Sequence, residues 1–497
     1  MFRLENVIRL RRVFLRNKTT VINDLRVPLY NNLCEEYEVK SYDKCRRLTK
    51  LDNGLNVASV DGFGMQATIG VVVKAGLRYE DKYVPGISNV VEKLSFKTTS
   101  KFPNTDAIQE RIESHNGIFD CQAARDFLIY ATSGSRDNIS VYLDVLKETT
   151  LRPKISENDL EMAKKAIMNE NMAMSLNPPP DNLISDLTHM TAFGDRGLGN
   201  PRYCPLDNLD KIKISDVYNY LGEFYRPENF YILGVGVDHD SMVEAVKEQF
   251  TPWNPIFDQK KEVQVHSFEY VGGIRTDVRD LTQYHAPMPE FGHISLSFKS
   301  DGTSNVLDYV NLCLFTSFMG GGGSFSSGGP GKGIHHWVNS AQASNTTFSN
   351  VSLLSITGSA FPQDLNVLVS SVIVELQNIL HNGIKSDELA RAKTQLISMI
   401  LMNLEMKPVV FEDFARQLIN NGQPTEPEFW VDKINKVSEE ELIDYLKRMM
   451  VSNEPTLIGF GKCENFINKE ELIDCVGAAV DNKFIRKYVP NFLKKYF

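Results

Sequence analysis

Along the chain, short apolar runs alternate with longer segments whose apolar positions recur every three to four residues. ATIGVVVKAG (67–76) and HISLSFKS (293–300) read as strands, one opening each half, and amphipathic helical stretches follow both. The halves also repeat each other. VYNYLGEFYRPENFYILGVG (217–236) matches LIDYLKRMMVSNEPTLIGFG (442–461), so that Tyr220, Leu221, Gly234 and Gly236 meet Tyr445, Leu446, Gly459 and Gly461. Each copy reads as the end of a helix, a turn, and a buried strand closing on Gly-x-Gly.

A second pair lies upstream at nearly the same spacing. SENDLEMAKKAI (156–167) aligns with KSDELARAKTQL (385–396), bringing Leu160, Ala163 and Lys164 onto Leu389, Ala392 and Lys393. Both begin with a serine and acidic residues suited to a helix N-terminus. Two matches in one order at about one spacing indicate a duplicated domain of about 225 residues. The segment 251–273 mixes proline, charge and aromatics before a Gly-Gly, as a connector does. The expected fold is therefore α+β: two homologous sheet-plus-helix domains, 40–252 and 274–497, joined by a linker at 253–273 and enclosing a cleft, with helices on one face of each sheet.

The first thirty residues carry Arg3, Arg9, Arg11, Arg12, Arg16, Lys18 and Arg26 against Glu5 and Asp24. Leu4, Val7, Ile8, Val13 and Phe14 can share one flank of a helix, opposite the arginines, and no long apolar core of the secretory type is present. Residues 1–35 are expected to be a mitochondrial targeting segment. No run in the sequence reaches the roughly 18–20 uninterrupted apolar residues that span a bilayer. The formal charge of −9 becomes about −14 once the basic segment is removed. Such a body repels nucleic acid and favours basic partners. The seven cysteines, at 34, 45, 121, 204, 313, 463 and 475, are dispersed and never spaced Cys-x-x-Cys. They support neither a disulfide framework nor a cysteine zinc site.

PGISNVVEKLSFKTT (85–99) reads as a helix with Asn89, Glu92 and Lys93 at i, i+3 and i+4 on one face. The inverted zincin motif His-x-x-Glu-His uses that spacing, because one helical turn brings two imidazoles to one metal while the glutamate reaches the bound water. Here neither histidine is present, and the adjacent His335 and His336 would project to opposite sides of a strand and so do not replace them.

At these residues the chain resembles the pitrilysin-like, or M16, metallopeptidases, whose members are built from duplicated α/β domains. The resemblance places the family's third ligand, a glutamate on a later helix, at Glu170 in KKAIMNENMAM. Asn89, Glu92, Lys93 and Glu170 are thus expected to be a dismantled metal site with no catalytic residue and no metal. A lysine ammonium where the ion would sit points instead to an ion-pair cluster of Glu92, Lys93 and Glu170 between two helices.

The run Gly320, Gly321, Gly322, Gly323, Ser324, Phe325, Ser326, Ser327, Gly328, Gly329, Pro330, Gly331, Lys332, Gly333 is the most unusual stretch in the sequence. It is not a P-loop, because Ser326 stands five residues before Gly331 and Lys332 is followed by Gly333; no Gly-x-Gly-x-x-Gly register fits either. A linker belongs between domains, and this run interrupts the second one. What remains is backbone able to approach an extended peptide closely.

This run resembles the glycine-rich loop of the α-type, non-catalytic subunits of the M16 family, and DELARAKTQLISMILMNLEMKPVVFEDFARQ (387–417) resembles the helices that follow it there. The resemblance implies a substrate-recognition subunit in the mitochondrial matrix, with inner-membrane association left open. It would bind basic presequences through residues 320–333 and form a heterodimer with a catalytic β subunit that carries the zinc. It would be no enzyme on its own but part of a zinc metalloendopeptidase. In the α-type pattern a helical segment follows the loop, whereas here Gly333 runs directly into Ile334, His335, His336 and Trp337. The alternative within the family is a structural core subunit of the cytochrome bc1 complex; an independently active peptidase is opposed by Asn89 and Lys93.

Overall fold

The computed structural model describes residues 45–62, 64–176, 180–257, 269–279, 291–320, 338–463 and 466–482. In the first half, strands β1 (Arg47–Lys50), β2 (Asn56–Val60) and β3 (Gln66–Val73) precede helices α1 (Ile87–Leu94) and α2 (Thr105–Glu113). The hairpin β4 (Ile118–Ala123) and β5 (Leu128–Ser135) follows, then α3 (Ile139–Leu151), α4 (Glu157–Leu176), α5 (Pro180–Phe193), α6 (Leu206–Leu209) and α7 (Ile214–Phe224). Strand β6 (Phe230–Val235) and helix α8 (His239–Phe250) complete it. The second half runs β7 (Gly273–Asp277), β8 (Gly292–Asp301), α9 (Val306–Phe318), β9 (Val338–Thr347), β10 (Val351–Ala360), α10 (Leu365–Asn382) and α11 (Ser386–Asn403). It ends with α12 (Lys407–Asn421), α13 (Pro427–Lys436), α14 (Glu439–Ser452), β11 (Thr456–Phe460) and α15 (Lys469–Val480).

The two sheets share one topology. Their orders are β1-β2-β6-β3-β5-β4 and β7-β11-β8-β10-β9, so the second repeats the first without a counterpart of β1. In both, the strand preceding the Gly-x-Gly turn pairs in parallel with one neighbour (β2 with β6, β7 with β11) and antiparallel with the other. Gly236 and Gly461 take φ of +81° and +99°, which explains why the duplicated motif closes on glycine. The repeated tyrosines are both buried and both tie helix to sheet side: Tyr220 Oη accepts from Gly76 N, and Tyr445 Oη donates to Ser300 Oγ, each at 2.8 Å.

Each half packs its own helices on one face of its sheet, and the second face is covered by the other half. Residues 69, 71 and 73 of β3 face the first core, whereas Val72 joins Ala58, Phe127, Tyr231 and Leu233 beneath Phe411, Phe414 and Leu418 of α12. Reciprocally, α5 lies on the second sheet, where Thr188 Oγ1 donates to Ser295 Oγ at 3.1 Å in a fully buried contact. Helices α5 and α12 each follow the duplicated helix of their half, α4 and α11, so the exchange is symmetric. This departs from sheets covered on one face alone. The physical reason is that β3 is buried on both faces from Ala67 to Val73, and an apolar second face needs a cover.

Among the described residues no single helix is long and apolar enough to cross a membrane. Residues 362–382 and α11 pass that test together, but they bend by 116° at the break, and both contribute to the second hydrophobic core.

Candidate functional site

Helix α1 begins at a glycine because nothing larger fits. Gly86 has φ +100°, and an added Cβ would stand 2.5 Å from the Cβ of Cys204. The first turn leaves backbone N–H groups without intrahelical acceptors, and the fully buried Glu80 supplies one. Its carboxylate accepts from Gly86 N and Ser88 N, both at 2.9 Å, and from the Ser88 hydroxyl. Burial raises the Glu80 pKa, and the bonds from Ser88 and Gly86 work against that rise.

This anchored helix fixes the three positions of the degenerate motif. Asn89 is buried, and its Oδ1 accepts from Cys204 N at 3.2 Å, so the amide serves the backbone of the segment ahead of α6. Glu92 accepts from Ala123 N at 2.9 Å on edge strand β4 and lies 3.3 Å from Lys93 Nζ. Lys93 Nζ donates to Glu170 Oε1 of α4 at 2.7 Å. The ion-pair cluster expected from the resemblance is thus present, linking α1, α4 and the sheet edge. At Lys93, burial works against the charge, but the hydrogen bond to Glu170 and the fields of both carboxylates outweigh it and hold the pKa above the ordinary lysine value.

These residues do not fit a zinc ion. A catalytic zinc takes about three protein ligands; here one position is an amide committed to a backbone N–H and another is an ammonium. No group of three or more His, Cys, Asp or Glu among the described residues is placed to hold a metal. The chemistry available at this site is electrostatic and structural.

Of the glycine-rich run, Gly320 is described: it has φ +93°, and its N–H bonds to Ser317 O at 3.3 Å at the end of α9. Gly321 to Gly333 lie outside the described residues, as do His335, His336, the targeting segment 1–35 and connector residues 258–268.

The sequence carried no sign of a second feature, a cavity of about 680 Å³ in the second half. It is bounded by α9, β9, α11, α12 and α13, and the buried Arg46 also lines it. Its walls come from elements far apart in the chain, so no local spacing announces it.

The geometry defines a duplicated α/β scaffold in which Lys93 is paired with Glu92 and Glu170 between α1 and α4. Residues 56–206 match the family described as Insulinase (Peptidase family M16), and residues 211–396 match the Peptidase M16 inactive domain. The chain belongs to the M16 peptidase family.

Within that family the chain is similar to relatives named as α subunits. It is 34% identical to the mitochondrial-processing peptidase subunit alpha of Caenorhabditis elegans, over 93% of this chain and 94% of the relative. It is 32% identical to the subunit of that name from Homo sapiens, over 89% and 86%. To the probable mitochondrial-processing peptidase subunit alpha of Schizosaccharomyces pombe it is 30% identical, over 82% of each chain.

Proposed function

We propose that this chain is the non-catalytic, substrate-recognition subunit of a mitochondrial processing peptidase. It binds the N-terminal presequences of imported precursor proteins in the matrix and presents them to a zinc-bearing β subunit for cleavage. The observation that supports this reading is Lys93 bonded to Glu170 at the metal position, in a chain similar over nearly its whole length to α subunits. Residues 1–35 act as its own targeting segment, 40–252 and 274–497 as its two domains, and the backbone of 320–333 as a surface for the passing peptide. The acidic body suits arginine-rich presequences, with each exposed ion pair contributing modestly.

The test is a pull-down from mitochondrial matrix, with the recovered material assayed on a presequence peptide. Recovery of a homologue with intact His-x-x-Glu-His and cleavage activity supports the proposal. Recovery of membrane respiratory subunits in place of that homologue would favour a structural role in the cytochrome bc1 complex and overturn it.

A further inference from the structure

The two exchanged helices begin differently, although the duplication makes them equivalent. Helix α5 has Asp181 in its first turn, the arrangement that the helix dipole favours. Helix α12 has no acidic residue there and starts at Lys407, after Met406, whose side chain makes no cap. A cation at a helix N-terminus faces the positive end of the dipole, so this placement costs stability. Natural chains break such local rules mainly at functional or strained positions.

The surroundings of Lys407 add to that cost. The residue is half-buried, and its Nζ donates to the backbone oxygen of Gln66 at the start of β3. The amine also fills the space that Gly236 leaves, since a Cβ added to that glycine would stand 2.6 Å from Nζ. Among the described residues it has no carboxylate partner. Asp61, the carboxylate that acts on it from further away, is itself held by Arg136 at 3.0 Å. Partial burial and the Arg136 charge therefore lower the Lys407 pKa, and Asp61 offsets them only in part. One side of the amine is open among the described residues. Nothing lies within 4 Å of a Cβ added to Gly62, and at Gly64 the sole neighbour is Nζ itself, 3.8 Å away.

We propose that Lys407 is a modification site whose amine takes an acyl group from an acyl thioester of the acetyl-coenzyme A class. A lysine becomes a nucleophile when it is desolvated or set beside another cation, and both conditions hold here. The neutral amine attacks the thioester carbonyl, a C–N bond forms and the C–S bond breaks, and the proton lost from nitrogen leaves with the thiolate as free thiol. No oxidant or reductant is needed. The amide produced is uncharged, which relieves the repulsion from Arg136 and from the helix dipole that activates the amine. Gly62 and Gly64 leave room for the acyl chain. Lys407, Arg136 and Gln66 meet only because α12 is exchanged onto the first sheet, so the activation belongs to the folded chain and not to the local sequence.

The experiment treats the full chain with acetyl-coenzyme A and follows each lysine by mass spectrometry of its peptide. Lys385, with 78% of its side chain exposed, is the internal reference. At about pH 8, Lys407 is expected to be acetylated at least about three times faster than Lys385, with a rate that levels off below the ordinary lysine value of about 10.4. In urea the two rates should become equal. Arg136→Gln removes the neighbouring cation and frees Asp61 to face Lys407, so it should slow acetylation of Lys407 about threefold and leave Lys385 unchanged. Lys407 reacting no faster than Lys385 in the folded chain, or keeping its advantage in urea, would overturn the proposal. An unchanged Lys407 rate in folded Arg136→Gln would overturn it as well.

Discussion

Lys93 Nζ and Glu170 Oε1 lie 2.7 Å apart, joining α1 to α4. The pair is partly solvated, with the lysine side chain 24% and the glutamate 41% exposed, so its worth is that of a screened bridge. Lys93→Met should cost about 1 kcal/mol or less in urea unfolding at neutral pH. The folded pKa is raised, so this contribution is fully present below the unfolded lysine value of about 10.4 and is lost as pH climbs through the higher folded value. Wild type and Lys93→Met should therefore differ by a constant amount from pH 6 to 10 and converge above that.

Rebuilding the ligands separates scaffold from chemistry. The double variant Asn89→His, Lys93→His, with Glu170 in place, should bind one zinc per chain in equilibrium dialysis against a zinc buffer, where wild type binds none at this position. Its metal-free form should be about 1–3 kcal/mol less stable, because Cys204 N loses the acceptor supplied by Asn89. A double variant that takes up no zinc would mean that the helices no longer hold the family's ligand geometry.

The exchanged helix α12 should be as important to stability as either core. Phe414 is fully buried against the first sheet, with the Arg46 guanidinium 5.4 Å from its ring centre. Phe414→Ala should cost about 3–5 kcal/mol. An effect below about 1 kcal/mol in thermal or urea unfolding would show that α12 is a loose cover.

His189 sits at the junction of the halves, packed edge-on against Phe348 with ring centres 5.9 Å apart. Its Nδ1 bonds to Ser185 O at 2.7 Å, and Nε2 has no partner. Burial, helped by the nearby Arg125 charge, lowers its pKa to about 3. A depressed folded pKa means that its contribution is fully present above the unfolded value of about 6.5 and is lost as pH falls toward 3. The stability difference between wild type and His189→Gln should change by about 1.4 kcal/mol per pH unit in that window. A difference independent of pH would place the histidine in a more solvated setting.

Much of this was written locally. The Gly-x-Gly closures, the repeated tyrosines and the 89-92-93 spacing are short-range patterns, and the structure turns each into a defined contact. The exchange of α5 and α12 was not legible, because a helical period shows that Phe411 and Phe414 share an apolar face without saying which sheet receives it. The cavity was equally hidden: Arg46, Cys313 and Asn420 meet only in three dimensions.

The central claim is tested most directly by reconstitution with purified components and a fluorogenic presequence peptide. This chain alone, supplied with zinc, should show no hydrolysis, the zinc-bearing partner alone should show little, and the mixture should cleave. Hydrolysis by this chain alone, or cleavage by the partner that is unchanged when this chain is added, would contradict the account.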